Sequence, residues 1–298
     1  MIDYDRNSWW RVVFAWHGTV LPHIMGRVGL LTGLSLLVYG LYQFVPTEER
    51  PKLGLPELGH SVLGVALSML IVFRTNSSNN RFWEARSHWG MLVNNTRSLA
   101  RQAAAFSPPA DSMARLIHAY VVMVKEQLRG NRNPDAIRHL LPGRLIERLQ
   151  GAGSPANVLT GMMSEWIAER LAEGKIDSMM AQRMESMVVI FADQQGGCEK
   201  ILKTPLPFVY AALIKQILFL YLATLPFVLV PRMAFLAPLV VAGISLGMLG
   251  IEEAGVEIES PFGLDPNHLP LDGICEMIGR DANELATRTR SKENMPHS

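Results

Sequence analysis

Residues 58–73 read LGHSVLGVALSMLIVF, an apolar run that continues directly into the polar, basic run RTNSSNNRFWEAR at residues 74–86. A membrane-spanning helix needs about 20 mainly apolar residues. This run is short for a free span, so we predict that its helix continues beyond the membrane. Three further apolar runs occupy residues 27–44, 207–230 and 233–251. Together the runs predict an all-α integral membrane protein with about four transmembrane helices.

The bulk composition agrees with a membrane protein. Of the 298 residues, 49% are hydrophobic and 18% are charged, whereas soluble domains carry about 25% charged residues. The net charge of +1 gives no basic field that would attract nucleic acid, so we expect no nucleic-acid partner. A soluble protein with very apolar core helices is disfavoured, because only Pro231 and Arg232 separate the last two apolar runs.

The polar residues 74–206 show helical spacing throughout, and we find no alternating strand pattern in the sequence. Pro108-Pro109 breaks the first helix of this region, Ser154-Pro155 is an N-cap followed by a first-position proline, and Asp177 is a further N-cap. The predicted helices cover residues 83–105, 111–128, 155–174 and 177–201.

Charges beside the spans predict the orientation of the chain. Arg6, Arg11 and Arg27 precede the first span and a basic run follows the second, whereas the loop at residues 46–57 is slightly acidic. The positive-inside rule therefore places both termini and residues 74–206 in the cytoplasm. Charges interrupt residues 1–23, so we predict no cleavable signal peptide. The predicted segments are 1–73 with the first two spans, 74–206 as the cytoplasmic helical region, 207–251 with the last two spans, and 252–298 as an acidic cytoplasmic segment and tail.

The second span carries the candidate functional face. Val65, Met69 and Phe73 recur at every fourth position, so they lie on one side of the helix. A ring of such helices would present them to a central axis as a dry constriction. Periodicity alone favours an ordinary lipid-facing or packed helix over a pore wall. Small residues on the adjoining faces allow close helix approach; they are Gly64, Ala66 and Ser68.

Two other features could carry chemistry. Lys215 and Gln216 lie inside the third span, where they need a partner or water, unless the lysine snorkels from a span whose ends lie elsewhere. Carboxylates crowd the segment after the fourth span and could bind a hard cation, act as acid and base, or form a solvated helix end. These carboxylates are Glu252, Glu253, Glu257, Glu259, Asp265 and Asp272.

Motifs of enzymes are otherwise weak. His17, His118 and His139 stand apart from any metal-binding spacing, and the sequence shows neither a phosphate-binding glycine loop nor a nucleophile elbow. Cys198 and Cys275 form no disulfide framework. We expect both as reduced thiols that face the cytoplasm.

Four stretches, in order along nearly the whole chain, resemble the bestrophin family in its bacterial branch. They are WWRVVFAWHGTVLPHIMGRV at 9–28, VLGVALSMLIVFRTNSSNNRFWEARSHWGMLV at 62–93, KTPLPFVY at 203–210 and EEAGVEIESPFGLDPNHLPLD at 252–272. The resemblance implies a homopentameric ion channel in the lipid bilayer of a bacterial inner membrane, with one central pore and no enzyme activity.

The family also implies where the pore narrows. Its second span lines an apolar neck, which the resemblance places at Val65, Met69 and Phe73, just before the arginine of the FRTN run. A second, cytoplasmic aperture is expected near Met180, with Ile176 one helical turn earlier.

The sequence departs from the calcium clasp of animal bestrophins, which uses an acidic run after the Pro-Phe-Gly core. Here that run is GLDPNH at residues 263–268, with one carboxylate, and Ser260 occupies the preceding ligand-type position. We therefore expect no cofactor, and at most a weak divalent cation at Glu257 and Asp265.

The permeant ion is the open question. Animal bestrophins pass anions, whereas a characterised bacterial relative is described as favouring monovalent cations, and an apolar neck selects neither sign. The branch resemblance favours small monovalent cations, with a chloride channel of the same fold as the alternative. Two alternatives belong to other classes: a membrane enzyme or carrier that uses Lys215 and the acidic segment, and a membrane scaffold whose cytoplasmic helices bind partners.

Overall fold

The structure is a computed structural model that describes residues 7–46, 48, 49 and 54–293, with side chains described through residue 287. Some residues on which the predicted orientation depends lie outside the described residues. They are Arg6, Arg50 and Lys52 (the latter two in the 46–57 loop) and the last five residues. The described residues form helices and no β-strand, which confirms the all-α prediction. The helices are α1 Trp9–Val13, α2 Leu21–Gln43, α3 Glu57–Phe106, α4 Asp111–Leu128, α5 Gly143–Leu149, α6 Pro155–Ala172, α7 Ser178–Lys203, α8 Phe208–Met233, α9 Ala237–Glu259 and α10 Leu271–Glu293, with 3-10 turns at Pro134–Ile137 and Ala234–Leu236.

The chain divides into two compact units. The first, here the span unit, comprises Met1–Phe82, Pro205–Ser260 and Asp265–Asn267; the second, here the helical unit, comprises Trp83–Thr204, Pro261–Leu264 and His268–Ser298. Helix α3 contributes residues to both units. Its 50 residues form one uninterrupted helix, which confirms that the short second span continues into the polar run.

The span unit is built on an apolar core from four helices. Most of its members come from α2, α3 and α8, and none carries a charge, as expected for helices that pack within lipid. The core residues are Ile24, Val28, Leu31, Leu67, Ile71, Ile214, Leu218, Tyr221, Leu222, Leu225, Val241 and Leu249. Three helical stretches of the described residues are long and apolar enough to cross a membrane: Leu21–Gln43, Glu57–Phe106 and Phe208–Glu259.

The turn between α8 and α9 lies later than the sequence suggested. We predicted a connection at Pro231 and Arg232, but α8 continues through both residues to Met233 and the chain turns at Ala234–Leu236. Proline inside a helix frees the carbonyl four residues earlier. Here the backbone N–H of Leu55 donates to the Phe227 carbonyl at 3.3 Å, so the freed group keeps a partner and the helix tolerates Pro231.

The helical unit has its own core, centred on the fully buried Trp89, Tyr120 and Phe191. The Tyr120 hydroxyl donates to the Phe191 carbonyl at 2.8 Å, and the two rings stack at 5.5 Å. The predicted caps are confirmed, because Ser154 accepts from the N–H of Asn157 and Asp177 from that of Met180. Each cap satisfies a backbone donor that the first helical turn leaves unpaired.

Helix α10 was missed by the sequence analysis, which treated the C-terminal segment as acidic loop and tail. It packs on α4 within the helical unit. Its N-terminal Asp272 accepts from Lys125 at 2.7 Å and pairs with Arg129 at 2.9 Å. A signal was available in the sequence, since buried residues recur at three- and four-residue spacing; they are Leu271, Ile274, Cys275, Ile278, Ala282 and Ala286.

Candidate functional site

The predicted pore-lining face of α3 is uncovered within the chain. Val65, Met69 and Phe73 expose 66%, 56% and 56% of their surface, whereas Leu67 and Ile71 on the opposite side are buried in the core. An open groove of about 620 Å³ runs along the exposed face. Its lining residues are Ser61, Gly64, Val65, Ser68, Met69, Val72, Phe73, Tyr221, Ile244 and Met248.

Close packing of α3 on α8 depends on Gly64. A Cβ atom at this position would lie 2.7 Å from the Tyr221 hydroxyl oxygen and 3.1 Å from its ring. Tyr221 is buried, and its ring stacks on His60 with centroids 4.2 Å apart. The expected role of a small residue at Gly64 in close helix approach is confirmed, and the contact with Tyr221 forms one edge of the exposed groove.

A buried ion pair lies at the polar end of the span unit and was not anticipated. Arg74 of α3 donates to the Glu252 carboxylate of α9, and both side chains are almost fully buried. A second nitrogen of Arg74 lies 3.4 Å from Glu259, whose carboxylate also accepts from the N–H of Leu206 at 3.2 Å. Because a buried charge needs a partner, this pair ties α3 to α9 just below the apolar face.

Lys215 is satisfied by the same carboxylate. Its Nζ lies 3.8 Å from Glu252, and about half of the lysine side chain is exposed. Gln216 beside it is exposed. Lys215 thus adds a second cation to the buried acid, and the carboxylate acts in helix packing; this arrangement offers no free acid–base pair.

The remaining predicted acids have other partners. Glu253 pairs with Arg27 at 2.7 Å, and Glu257 accepts from Asn267 at 2.9 Å. Among the residues that the structure describes, no group of three His, Cys, Asp or Glu side chains is placed to hold a metal ion. The weak cation site at Glu257 and Asp265 stays a prediction.

The predicted aperture residues lie at the start of α7 in the helical unit. Ile176 is buried just before the helix, Met180 is half-buried, and the adjacent Met179 exposes 78% of its surface. Placement at a pore stays a prediction for these residues. Exposure singles out Met179, which the sequence analysis had not selected.

Burial shifts the pKa of three titratable groups in the helical unit toward the neutral form. Burial raises the pKa of Cys198 and Cys275 to about 12, and both are free, buried thiols. Burial also lowers the pKa of His118, and the nearby His139 lowers it further. These groups are neutral near pH 7, which agrees with packing roles for all three.

Comparison with known proteins identifies the family. The family model for bacterial/fungal bestrophin proteins matches residues 1–284. The chain belongs to the bacterial/fungal bestrophin family. Its likeness extends to solved structures: a bacterial bestrophin homologue from Klebsiella pneumoniae shares 28% identity at a TM-score of 0.83, over 89% of this chain and 98% of that chain.

Several curated relatives of this bestrophin are named as channel-forming proteins. A voltage-dependent anion channel-forming protein of a Nostoc species is 33% identical over 95% of this chain and 93% of its own length. A protein of the same name from a Synechocystis species is 34% identical over 93% and 91%, and one from Escherichia coli K12 is 31% identical over 96% and 94%. The family and these names indicate a membrane ion channel and not an enzyme.

Proposed function

We propose that this bestrophin is a homopentameric channel of the bacterial inner membrane that conducts small monovalent ions through one central pore. Helices α2, α8, α9 and the apolar part of α3 are its four spans. Both termini and the helical unit face the cytoplasm in this proposal, in agreement with the basic residues that flank the spans.

The exposed face of α3 carries the proposal. Val65, Met69 and Phe73 cover about 12 Å along the helix, taking a rise of about 1.5 Å per residue. Asn76 and Asn80 follow as exposed side chains on the same side of the helix. Five copies around an axis would form a short apolar neck that opens onto amides, and an apolar neck of this kind can gate by dewetting.

We place the cytoplasmic aperture at the first turn of α7. Met180 remains a candidate, and Met179, which exposes 78% of its surface, is the more exposed of the two methionines. Ile176 is buried, so its role is support of the turn. Methionine is flexible and polarizable, so this aperture is softer than one lined by branched aliphatic residues.

Reversal potentials in asymmetric salt test conduction and selectivity together. For full-length protein in planar bilayers under a tenfold KCl gradient, a perfectly selective channel reverses at about 59 mV. We propose cations as the favoured ions, on the branch resemblance, which predicts that the dilute side becomes positive. The opposite sign would support the second candidate, an anion channel, which is the activity printed in the names of three relatives. Absence of current from correctly assembled protein would refute both.

Substitutions in the neck test its location. Met69→Ala and Phe73→Ala each remove apolar volume from the exposed face, so single-channel conductance should rise severalfold while the direction of selectivity is unchanged. The matched control is Leu37→Ala, because Leu37 is an equally exposed apolar residue on α2. Conductance that stays at the wild-type level in both neck variants would show that another surface lines the pore.

A further inference from the structure

A groove of about 360 Å³ opens on the span unit between α2, α8 and α9. One end of it carries charge and the rest is apolar. The lining residues are Gly26, Arg27, Leu30, Leu31, Lys215, Leu218, Phe219, Leu222, Leu249 and Glu252. We propose that this groove is a binding site for an anionic phospholipid, with the phosphate at Arg27 and Lys215 and an acyl chain along the apolar wall.

The charged end of the groove is positive. Arg27 and Lys215 expose 53% and 52% of their side chains, whereas the Glu252 side chain exposes only 2%. Glu252 is already engaged by Arg74, and Glu253, the partner of Arg27, is not among the lining residues. A phosphodiester therefore meets two accessible cations, of which Arg27 also pairs with Glu253 at 2.7 Å, and one covered carboxylate.

The cations lie at the depth of a lipid headgroup. Arg27 is six residues beyond the start of α2 and Lys215 is seven beyond the start of α8, about 9–11 Å along each helix. Glu252 lies seven residues before the end of α9 and 3.8 Å from the Lys215 Nζ, and all three charged residues line the same groove. In a bilayer with an apolar core of about 30 Å, that level borders the headgroups, where basic pockets between helices bind anionic lipids.

The apolar wall explains why the ligand is a lipid and not free phosphate. Leu30 and Phe219 lie one helical turn deeper than the two cations and are strongly exposed. Gly26 leaves room at the mouth of the groove, since a Cβ atom there would meet nothing within 4 Å. An acyl chain that lies along this wall would bury apolar surface directly beneath its own headgroup.

Native mass spectrometry of the full-length protein tests the site. The protein in mild detergent is incubated with phosphatidylglycerol or, in parallel, with phosphatidylcholine of the same acyl chains. We expect retained phosphatidylglycerol on the wild type, a loss of about tenfold in affinity for Lys215→Gln, and weak retention of phosphatidylcholine. Arg232→Gln is the matched control, because Arg232 is an exposed cation at the opposite end of α8.

A second variant fills the groove and leaves the charges in place. A Cβ atom at Gly26 meets nothing within 4 Å, so we expect Gly26→Leu to retain the fold while its side chain displaces the bound lipid. Equal retention of phosphatidylglycerol by Lys215→Gln and wild type would overturn the proposal. A second result would also overturn the proposal: the wild type binds no lipid, and Gly26→Leu changes the oligomer mass. A second copy of the chain would then occupy the groove. The readout is bound lipid, so a protein that conducts no ions leaves this result intact.

Discussion

Replacing Arg74 with methionine removes a guanidinium from a site where the Glu252 carboxylate is almost fully buried. Loss of one partner from a buried ion pair costs about 3–5 kcal/mol, because the other charge stays desolvated. Lys215 remains 3.8 Å from the carboxylate and provides a partial substitute. Glu259 keeps the N–H of Leu206 at 3.2 Å. The expected cost is therefore at the low end, about 3 kcal/mol.

Thermal unfolding in mild detergent, followed by tryptophan fluorescence, measures this cost. For a chain of this size about 3 kcal/mol lowers Tm by about 6 °C. Arg232→Met is the matched control: its pair with Glu57 at 2.9 Å is exposed on both sides, so its loss costs less than about 1 kcal/mol.

A double variant measures the interaction between Arg74 and Glu252 apart from their contacts with other residues. Arg74→Met combined with Glu252→Met removes both charges together, and such replacements are often close to neutral. We expect its Tm to recover most of the loss, with a coupling energy of at least about 2 kcal/mol in the double-mutant cycle. A Tm for Arg74→Met within about 2 °C of wild type, or additive losses in the double variant, would refute the buried-pair reasoning.

Two further variants test packing and titration. Gly64→Ala forces a Cβ atom against the Tyr221 hydroxyl, 2.7 Å away, so we expect a loss of about 1–3 kcal/mol by thermal unfolding; Gly59→Ala, in open space on the same helix, should not destabilise. Burial lowers the pKa of His118, so its stabilising effect is present above its ordinary pKa of about 6.5 and is lost as pH falls through the lowered value. His118→Gln should therefore flatten the fall in Tm between pH 7 and pH 5, and identical pH profiles would contradict this.

Much of the fold follows from local patterns. The apolar runs predicted the helices of the span unit, and the caps at Ser154 and Asp177 predicted where α6 and α7 begin. These features depend on residues three or four positions apart, so periodicity and capping report them directly. The turn after α8 was misplaced because Pro231 is normally a helix breaker, and its tolerance depends on the distant N–H of Leu55.

The candidate site was also predictable only in part from local patterns. Spacing alone put Val65, Met69 and Phe73 on one side of a helix, and family resemblance predicts that this side lines a pore. Which side of α3 stays uncovered was decided by tertiary contacts, through the packing of Leu67 and Ile71 in the core and of Gly64 on Tyr221.

The sequence by itself determined that the chain is helical, belongs in a membrane and resembles the bestrophins, because composition, hydrophobic period and ordered motifs are local properties. Only the tertiary structure decided that Arg74 pairs with Glu252, 178 residues away. It also decided that Arg27 and Lys215 meet at one end of an apolar groove. The physical reason is that the partner of a buried charge is set by how helices pack, and no spacing within one helix records which residue of another will face it.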